Sequence, residues 1–373
     1  MKKRILIGIL TLVLALAIAV PGVVQVAAAN GTSTLTVNYN TGMNGNLVSS
    51  GTGTNVTGLS VYLKTAAGAD VASKGGVTGS TTFTGLASGD YKVVSVKGAS
   101  TTTEDASVAS DQYVNIHCGK LVVNYNTGMN GDLGSSGSGT NVTGLSVYIK
   151  WATNNGDVAS QGGVNGSTSF ALLSGAYKVV SVKGASTTTE DASVASDQYV
   201  NIHCGKLVVT YYANNKAEWG MTGLSVYVKW AANNGDVDSK GGVNNETSFA
   251  LLSGAYKVVS VKGASSRTDS ASVASSQTLD VPVARFRVAV VKAADFSAQT
   301  GVSVYVKTAG NGDVTSAGGV NGNVDFSLLQ SDNGGGAGQY KFIAVKNSST
   351  AQTQVSANEV PPPGLAGVIL MIP

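Results

Sequence analysis

The chain has 373 residues, of which 43% are apolar, 12% are charged and 48 are glycine. Its 24 basic residues face 21 acidic ones, and with Lys2, Lys3 and Arg4 set aside the balance is 21 against 21. That neutrality leaves no electrostatic footprint for nucleic acid and no pull toward an anionic membrane, and two cysteines exclude a disulfide-dense scaffold.

In chain order, the first element is a leader. Lys2, Lys3 and Arg4 precede an apolar run from Ile5 to Val20, Pro21 ends it, and Ala27, Ala28 and Ala29 supply small residues for cleavage. Residues 1–29 read as a secretory signal peptide. The run is short for a bilayer span, so the mature chain is expected to be extracellular or on the cell surface, with no membrane span of its own.

Beyond residue 29 the sequence repeats. Residues 91–123 and 177–209 are identical, and diverged copies of the same string start at Tyr256 and Tyr340. The string GLSVY recurs at Gly58, Gly144 and Gly223, with GVSVY at Gly301, and each is followed by a Phe, a Leu, a Gly and then the Tyr of the repeated string. Four tandem units result: 30–119, 120–205, 206–283 and 284–373. Each is of autonomous-domain size rather than solenoid-repeat size.

Within a unit the elements read as strands. Leu224, Val226, Val228 and Trp230 alternate with Ser225, Tyr227 and Lys229, the period of two expected of a strand with one buried face. Asn155-Gly156, Asn234-Gly235 and Asn311-Gly312 follow that strand and read as type I′ hairpin turns with two residues at positive φ. Six or seven such strands per unit predict an all-β chain of four antiparallel β-sandwiches. Single residues, Gly119, Gly205 and Ala284, separate one unit's last strand from the next unit's first. Joints this short predict a semi-rigid rod, roughly 150 Å long if each sandwich contributes ~35–40 Å.

The order of these elements carries a resemblance. In the second unit Gly144 to Ile149, Phe170, Leu173, Gly175, Tyr177 and Val179 resemble the prealbumin-like sandwiches, which include the carboxypeptidase regulatory-like and Cna B-type repeats of surface proteins. The resemblance covers all four units and implies stalk or spacer modules of surface proteins, or accessory domains of enzymes. Some Cna B-type domains carry a Lys–Asn isopeptide bond promoted by a Glu. Here the strand after Gly-x-Tyr reads KVVSVK, and Asn or Thr stands where the first strand would need a core Lys, so no cross-link is expected.

Candidate chemistry is sparse. Cys118 and Cys204 follow the only histidines, His117 and His203. Neighbouring strand residues point to opposite faces, so one pair cannot ligate one ion. In the third unit Val283 takes the cysteine position, which predicts buried, inert thiols with the histidines turned outward. Glu104-Asp105 and Glu190-Asp191 read as surface-loop residues, and Asp157, Asp236 and Asp313 as turn residues. Trp151 and Trp230 are expected to cap the ends of their cores, while Trp219, in a loop, is the candidate contact for a glycan. Tyr62, Tyr148, Tyr227 and Tyr305 face outward and are candidate assembly contacts. No phosphate loop, nucleophile elbow, metal pattern or cofactor motif occurs. The reading is a non-enzymatic secreted or cell-surface structural or adhesive protein, its partners being itself, other extracellular components or glycans. The alternatives are a carbohydrate-binding adhesin and a subunit of a self-assembling extracellular filament or surface layer.

Overall fold

The computed structural model describes residues 31–42, 53–128, 139–212, 220–330, 338–359 and 365–373. Residues 1–29, expected as a signal peptide, and Trp219 lie outside them. The first unit holds β1 (Ser33–Asn38), β2 (Leu59–Thr65), β3 (Asp70–Val77), β4 (Ser80–Leu86), β5 (Gly89–Lys97), β6 (Ser100–Val108) and β7 (Gln112–Asn115). The second holds β8 (Cys118–Asn124), β9 (Leu145–Trp151), β10 (Asp157–Val164), β11 (Ser167–Leu173), β12 (Gly175–Lys183), β13 (Ser186–Val194) and β14 (Gln198–Asn201). The third holds β15 (Cys204–Thr210), β16 (Leu224–Trp230), β17 (Asp236–Val243), β18 (Glu246–Leu252), β19 (Gly254–Lys262), β20 (Ser265–Val273) and β21 (Gln277–Asp280). The fourth holds β22 (Val283–Lys292), β23 (Val302–Thr308), β24 (Asp313–Val320), β25 (Asn323–Leu329), β26 (Gln339–Lys346), β27 (Ser349–Ser356) and β28 (Leu365–Ile372).

Each unit has the same two sheets. Its third, second, fifth and sixth strands form one sheet in that order, and its fourth, first and seventh form the other. All pairings are antiparallel except that of first and last strands, which run parallel. The core lies between the sheets, because the strands alternate as their sequences dictate: Leu224, Val226 and Val228 are buried while Tyr227 is exposed. The chain is therefore an array of four tandem β-sandwiches of the prealbumin-like kind that the sequence resembles.

Two details refine the core. In three units a tyrosine at the end of the first strand is buried and shares a hydrogen bond with a serine of the opposite sheet: Tyr39 with Ser95, Tyr125 with Ser181 and Tyr211 with Ser260, each at 2.8 Å. Val290 and Ala344 occupy these places in the fourth unit, both buried. Donor and acceptor are lost together, so neither is left unsatisfied. The third strand of every unit is a sheet edge carrying Gly-Gly, and its register slips there by a bulge, a device that hinders edge-to-edge pairing.

Some expectations change. The Asn-Gly pairs are not type I′ turns: Asn155, Asn234 and Asn311 have φ of 55°, 56° and 68°, but the glycines that follow are not in that region. The loops are longer, with Trp151 N–H donating to Gly156 and Asn155 N–H to Trp151, so one left-handed residue suffices. Glu104-Asp105 and Glu190-Asp191 lie within β6 and β13, not in loops, since a Thr/Ser-rich edge strand with one wet face has the composition of a loop. Asp157 and Asp236 open the third strands of their units, at 2.6 Å from Lys150 and 2.5 Å from Lys229, and Asp313 pairs likewise with Lys307.

Candidate functional site: the joints between units

The most elaborated chemistry lies where one unit meets the next. The last strand of the first unit ends at Asn115, and only Ile116 and His117 precede β8. The single-residue spacers expected at Gly119 and Gly205 fall inside β8 and β15, and Ala284 inside β22. Cys118 thus opens the second unit's first strand, opposite Leu173 of β11, yet both side chains are fully buried in the core of the first unit. Cys204 and Leu252 enter the second unit's core in the same way, and Val283 and Leu329 enter the third's.

Sequence and structure meet at a leucine pair. In units two to four the fourth strand ends Leu-Leu (172–173, 251–252, 328–329). The first leucine packs in its own unit and the second in the unit before it. The first unit has no predecessor among the described residues and reads Gly85-Leu86 there. Gly85 takes φ of 71°, the register slips, and Leu86 turns into its own core.

A second contact locks the other sheet. The hairpin tip Gly98-Ala99 lies on the start of β10, where Ala99 N–H donates to the Asp157 carbonyl at 2.9 Å. Ala185 donates to Asp236 at 2.9 Å and Ala264 to Asp313 at 2.7 Å. A Cβ on Gly98 would lie 2.5 Å from the Asp157 carbonyl oxygen, and one on Gly156 would lie 2.4 Å from the Ala99 methyl. Both glycines are therefore required by close approach. The glycine of each Asn-Gly pair serves the joint rather than the turn.

The third contact is a buried hydroxyl pair. Tyr340 shares a hydrogen bond with Ser265 at 2.7 Å, and Tyr177 and Tyr256 are bonded likewise to Ser100 and Ser186 of the preceding unit. The same phenols donate to the carbonyls of Leu173, Leu252 and Leu329. Burial raises the phenols of Tyr177 and Tyr340 to about 12, the serine bonds working against it, and burial raises Tyr256 as well. Trp151 and Trp230 cap this end of their cores, edge-on to Tyr177 and Tyr256 at 5.0 and 5.1 Å. Local ion pairs differ from joint to joint: Lys183 lies 3.0 Å from Asp238 across the second, and Arg267 donates to the Gln330 carbonyl at 3.1 Å across the third.

The remaining candidates scatter. Cys118 and Cys204 are buried free thiols, raised to about 12 by desolvation, so they are not thiolate nucleophiles at neutral pH. His117 and His203 are half-exposed, with Nδ1 at 3.5 Å from Glu104 and 3.7 Å from Glu190. Among the described residues no group of three or more His, Cys, Asp or Glu could hold a metal ion, and no helix is long and apolar enough to cross a membrane. Tyr62, Tyr148, Tyr227 and Tyr305 occupy one equivalent position per unit on the outer face of the four-stranded sheet, each 39–40% exposed.

Solved structures similar to the chain include pilins. The full-length major pilin SpaD of Corynebacterium diphtheriae is 11% identical over 91% of this chain and 97% of its own, with a TM-score of 0.22. The minor pilin of Streptococcus agalactiae is 13% identical over 46% and 94%, with a TM-score of 0.24. The Bacillus anthracis TIE protein is 10% identical over 85% and 69%, with a TM-score of 0.21. No family model matches the chain, and no curated protein matches it. At such identities and TM-scores the likeness decides nothing about function, and the architecture rests on the sheet pairing itself.

Proposed function

We propose that the chain is an extracellular or cell-surface structural element, a semi-rigid rod of four sandwiches exported by its leader. The observation that supports this is the joint: three successive joints repeat the same shared core, backbone bond and Tyr–Ser pair. At the ends of the array the joint glycines and the leucine pair lapse, Ala69 standing for Gly156, Asn347 for Gly98 and Gly85-Leu86 for Leu-Leu, while Tyr91 and Ser349 keep the tyrosine and the serine. Val71 of the first unit is 42% exposed where Val158 and Val237 are 9% exposed beneath the preceding hairpin. Sequence is thus spent on fixing one unit against the next, which a stalk or spacer requires and an enzyme does not. The outward tyrosines Tyr62, Tyr148, Tyr227 and Tyr305 are its proposed lateral contacts.

The test is small-angle X-ray scattering with light scattering on the mature chain. A particle with a long axis near 150 Å per chain, from four sandwiches of ~35–40 Å, supports the rod. A compact globule overturns it. The adhesive form of the proposal places glycan contact at Trp219 and predicts retention on a glycan column that Trp219→Ala abolishes.

A further inference from the structure

Both outer faces of the array are closed to the joint that links its units. At the hairpin tip of the fourth unit, Asn347 stands at φ of 52° in the place of Gly98, where a Cβ would collide with the next unit's backbone. At the start of the first, Ala69 replaces the Gly156 that admits the Ala99 methyl. A second copy cannot extend the array by this contact. The fourth unit presents a different surface.

That surface is β28. In the first three units the last strand has four residues, and its outer face is tied to the first strand by polar pairs: Asn38 with Asn115, Asn124 with Asn201, and Thr210 with Asp280. In the fourth unit the last strand has eight residues, LAGVILMI, and the equivalent pair is Ala289 with Ile369. Ile369, Met371 and Leu365 are 62%, 47% and 45% exposed. Among the described strands β28 pairs with β22 alone. It is an apolar sheet edge with no charge, proline or bulge to discourage pairing.

We propose that two copies of the chain associate through this edge, β28 against β28, antiparallel about a two-fold axis at Val368. The sequence is self-complementary in that register: Gly367 meets the partner's Ile369 and Leu365 meets the partner's Met371, small against large and large against large, on the outer face. On the inner face Val368 meets its own copy. In that register residues 365–371 of each edge pair, about 23 Å of strand. With the outer side chains this covers on the order of 300 Å² per copy, or about 600 Å² in all, the range of a weak, concentration-dependent pair held chiefly by strand hydrogen bonds. Charge does not oppose it: Arg285 and Arg287 share Asp325, and β22 of one copy lies three strand spacings from β22 of the other. That separation is about 14 Å, beyond the screening length of about 8 Å in physiological salt. The contact closes on itself, so it yields a dimer with the two arrays leading away from a central six-stranded sheet, not an open filament.

The experiment is light scattering of the full mature chain over a concentration series. A mass rising to twice that of the monomer and no further is expected, and Ile369→Lys should return it to the monomer with unchanged circular dichroism, its melting temperature matching that of the parent chain at a dilution where both are monomeric. Should Ile369→Lys lower the melting temperature, the double substitution Gly367→Cys with Ile369→Cys decides, because the proposed register brings 367 and 369 of opposite copies together and air oxidation should give a covalent dimer. A monomer at all concentrations, a dimer indifferent to Ile369→Lys, growth beyond the dimer, or no cross-link would overturn the proposal. Sedimentation of the monomer with phosphatidylcholine vesicles, lost on Ile369→Lys, would overturn it in favour of a lipid surface. The result is separable from the rod reading, since scattering shape and mass are read independently.

Discussion

The leucine pair offers the sharpest perturbation. Leu251 and Leu252 are neighbours on β18 and both are fully buried, but Leu251 belongs to the third core and Leu252 to the second. Truncating a fully buried leucine to alanine costs about 2–5 kcal/mol, the removed apolar atoms and the residual cavity both contributing. At ~1.4 kcal/mol per tenfold, that is a rise of roughly 30- to several-thousand-fold in the opening constant of the affected core. Native-state hydrogen exchange read by peptide mass spectrometry resolves the units. Leu252→Ala is expected to strip protection chiefly from β8, β9 and β12 of the second unit, although the residue lies in the third. Leu251→Ala is expected to strip it from β15, β16 and β19. If both substitutions loosen the same unit, the shared core at the joint is wrong.

Further outcomes follow from the same contacts. Gly184→Val places a branched side chain at φ of 54°, 2.5 Å from the Asp236 carbonyl oxygen. It should broaden the distance distribution in X-ray scattering while leaving far-UV dichroism intact, whereas Asn347→Val at the free tip should not alter the distribution. Tyr125→Phe or Ser181→Ala alone should destabilise the second unit by about 1–3 kcal/mol, for each leaves a buried partner unsatisfied. Joining Tyr125→Val to Ser181→Ala, the pair found in the fourth unit, should cost less than the sum of the single Tyr125→Val and Ser181→Ala changes in urea unfolding. Burial raises Cys118, Cys204 and Tyr177 to about 12, so the folded chain keeps protons that the unfolded chain loses from pH ~8.5–10 upward. Stability should therefore fall as pH rises from that range toward 12, with a shallower fall in Cys204→Ala; a flat profile would contradict the burial. At neutral pH neither thiol should react with iodoacetamide until denaturant is added.

The sequence by itself determined the unit. Alternation in LSVYVKW, the recurrence of GLSVY and the Tyr-Lys-Val-Val strings fix four copies of one sandwich, because a period of two allows only one face of each strand to be buried. Buried cysteines were legible too, since the aligned third unit carries Val283 where they stand. The joints were not. Which of two adjacent leucines serves which core, and why a glycine follows Asn155, depend on atoms supplied by a different unit, and local pattern has no term for those. The Asn-Gly pairs imitate a hairpin signal while answering a steric demand from Ala99. The Thr/Ser-rich sixth strands imitate loops because at the sheet edge their outer face is exposed and their inner face is only half-buried between its ends. Tertiary structure alone decided that Cys118 belongs to one unit by strand and to another by core, since burial is settled by what packs around a side chain and not by the strand that carries it.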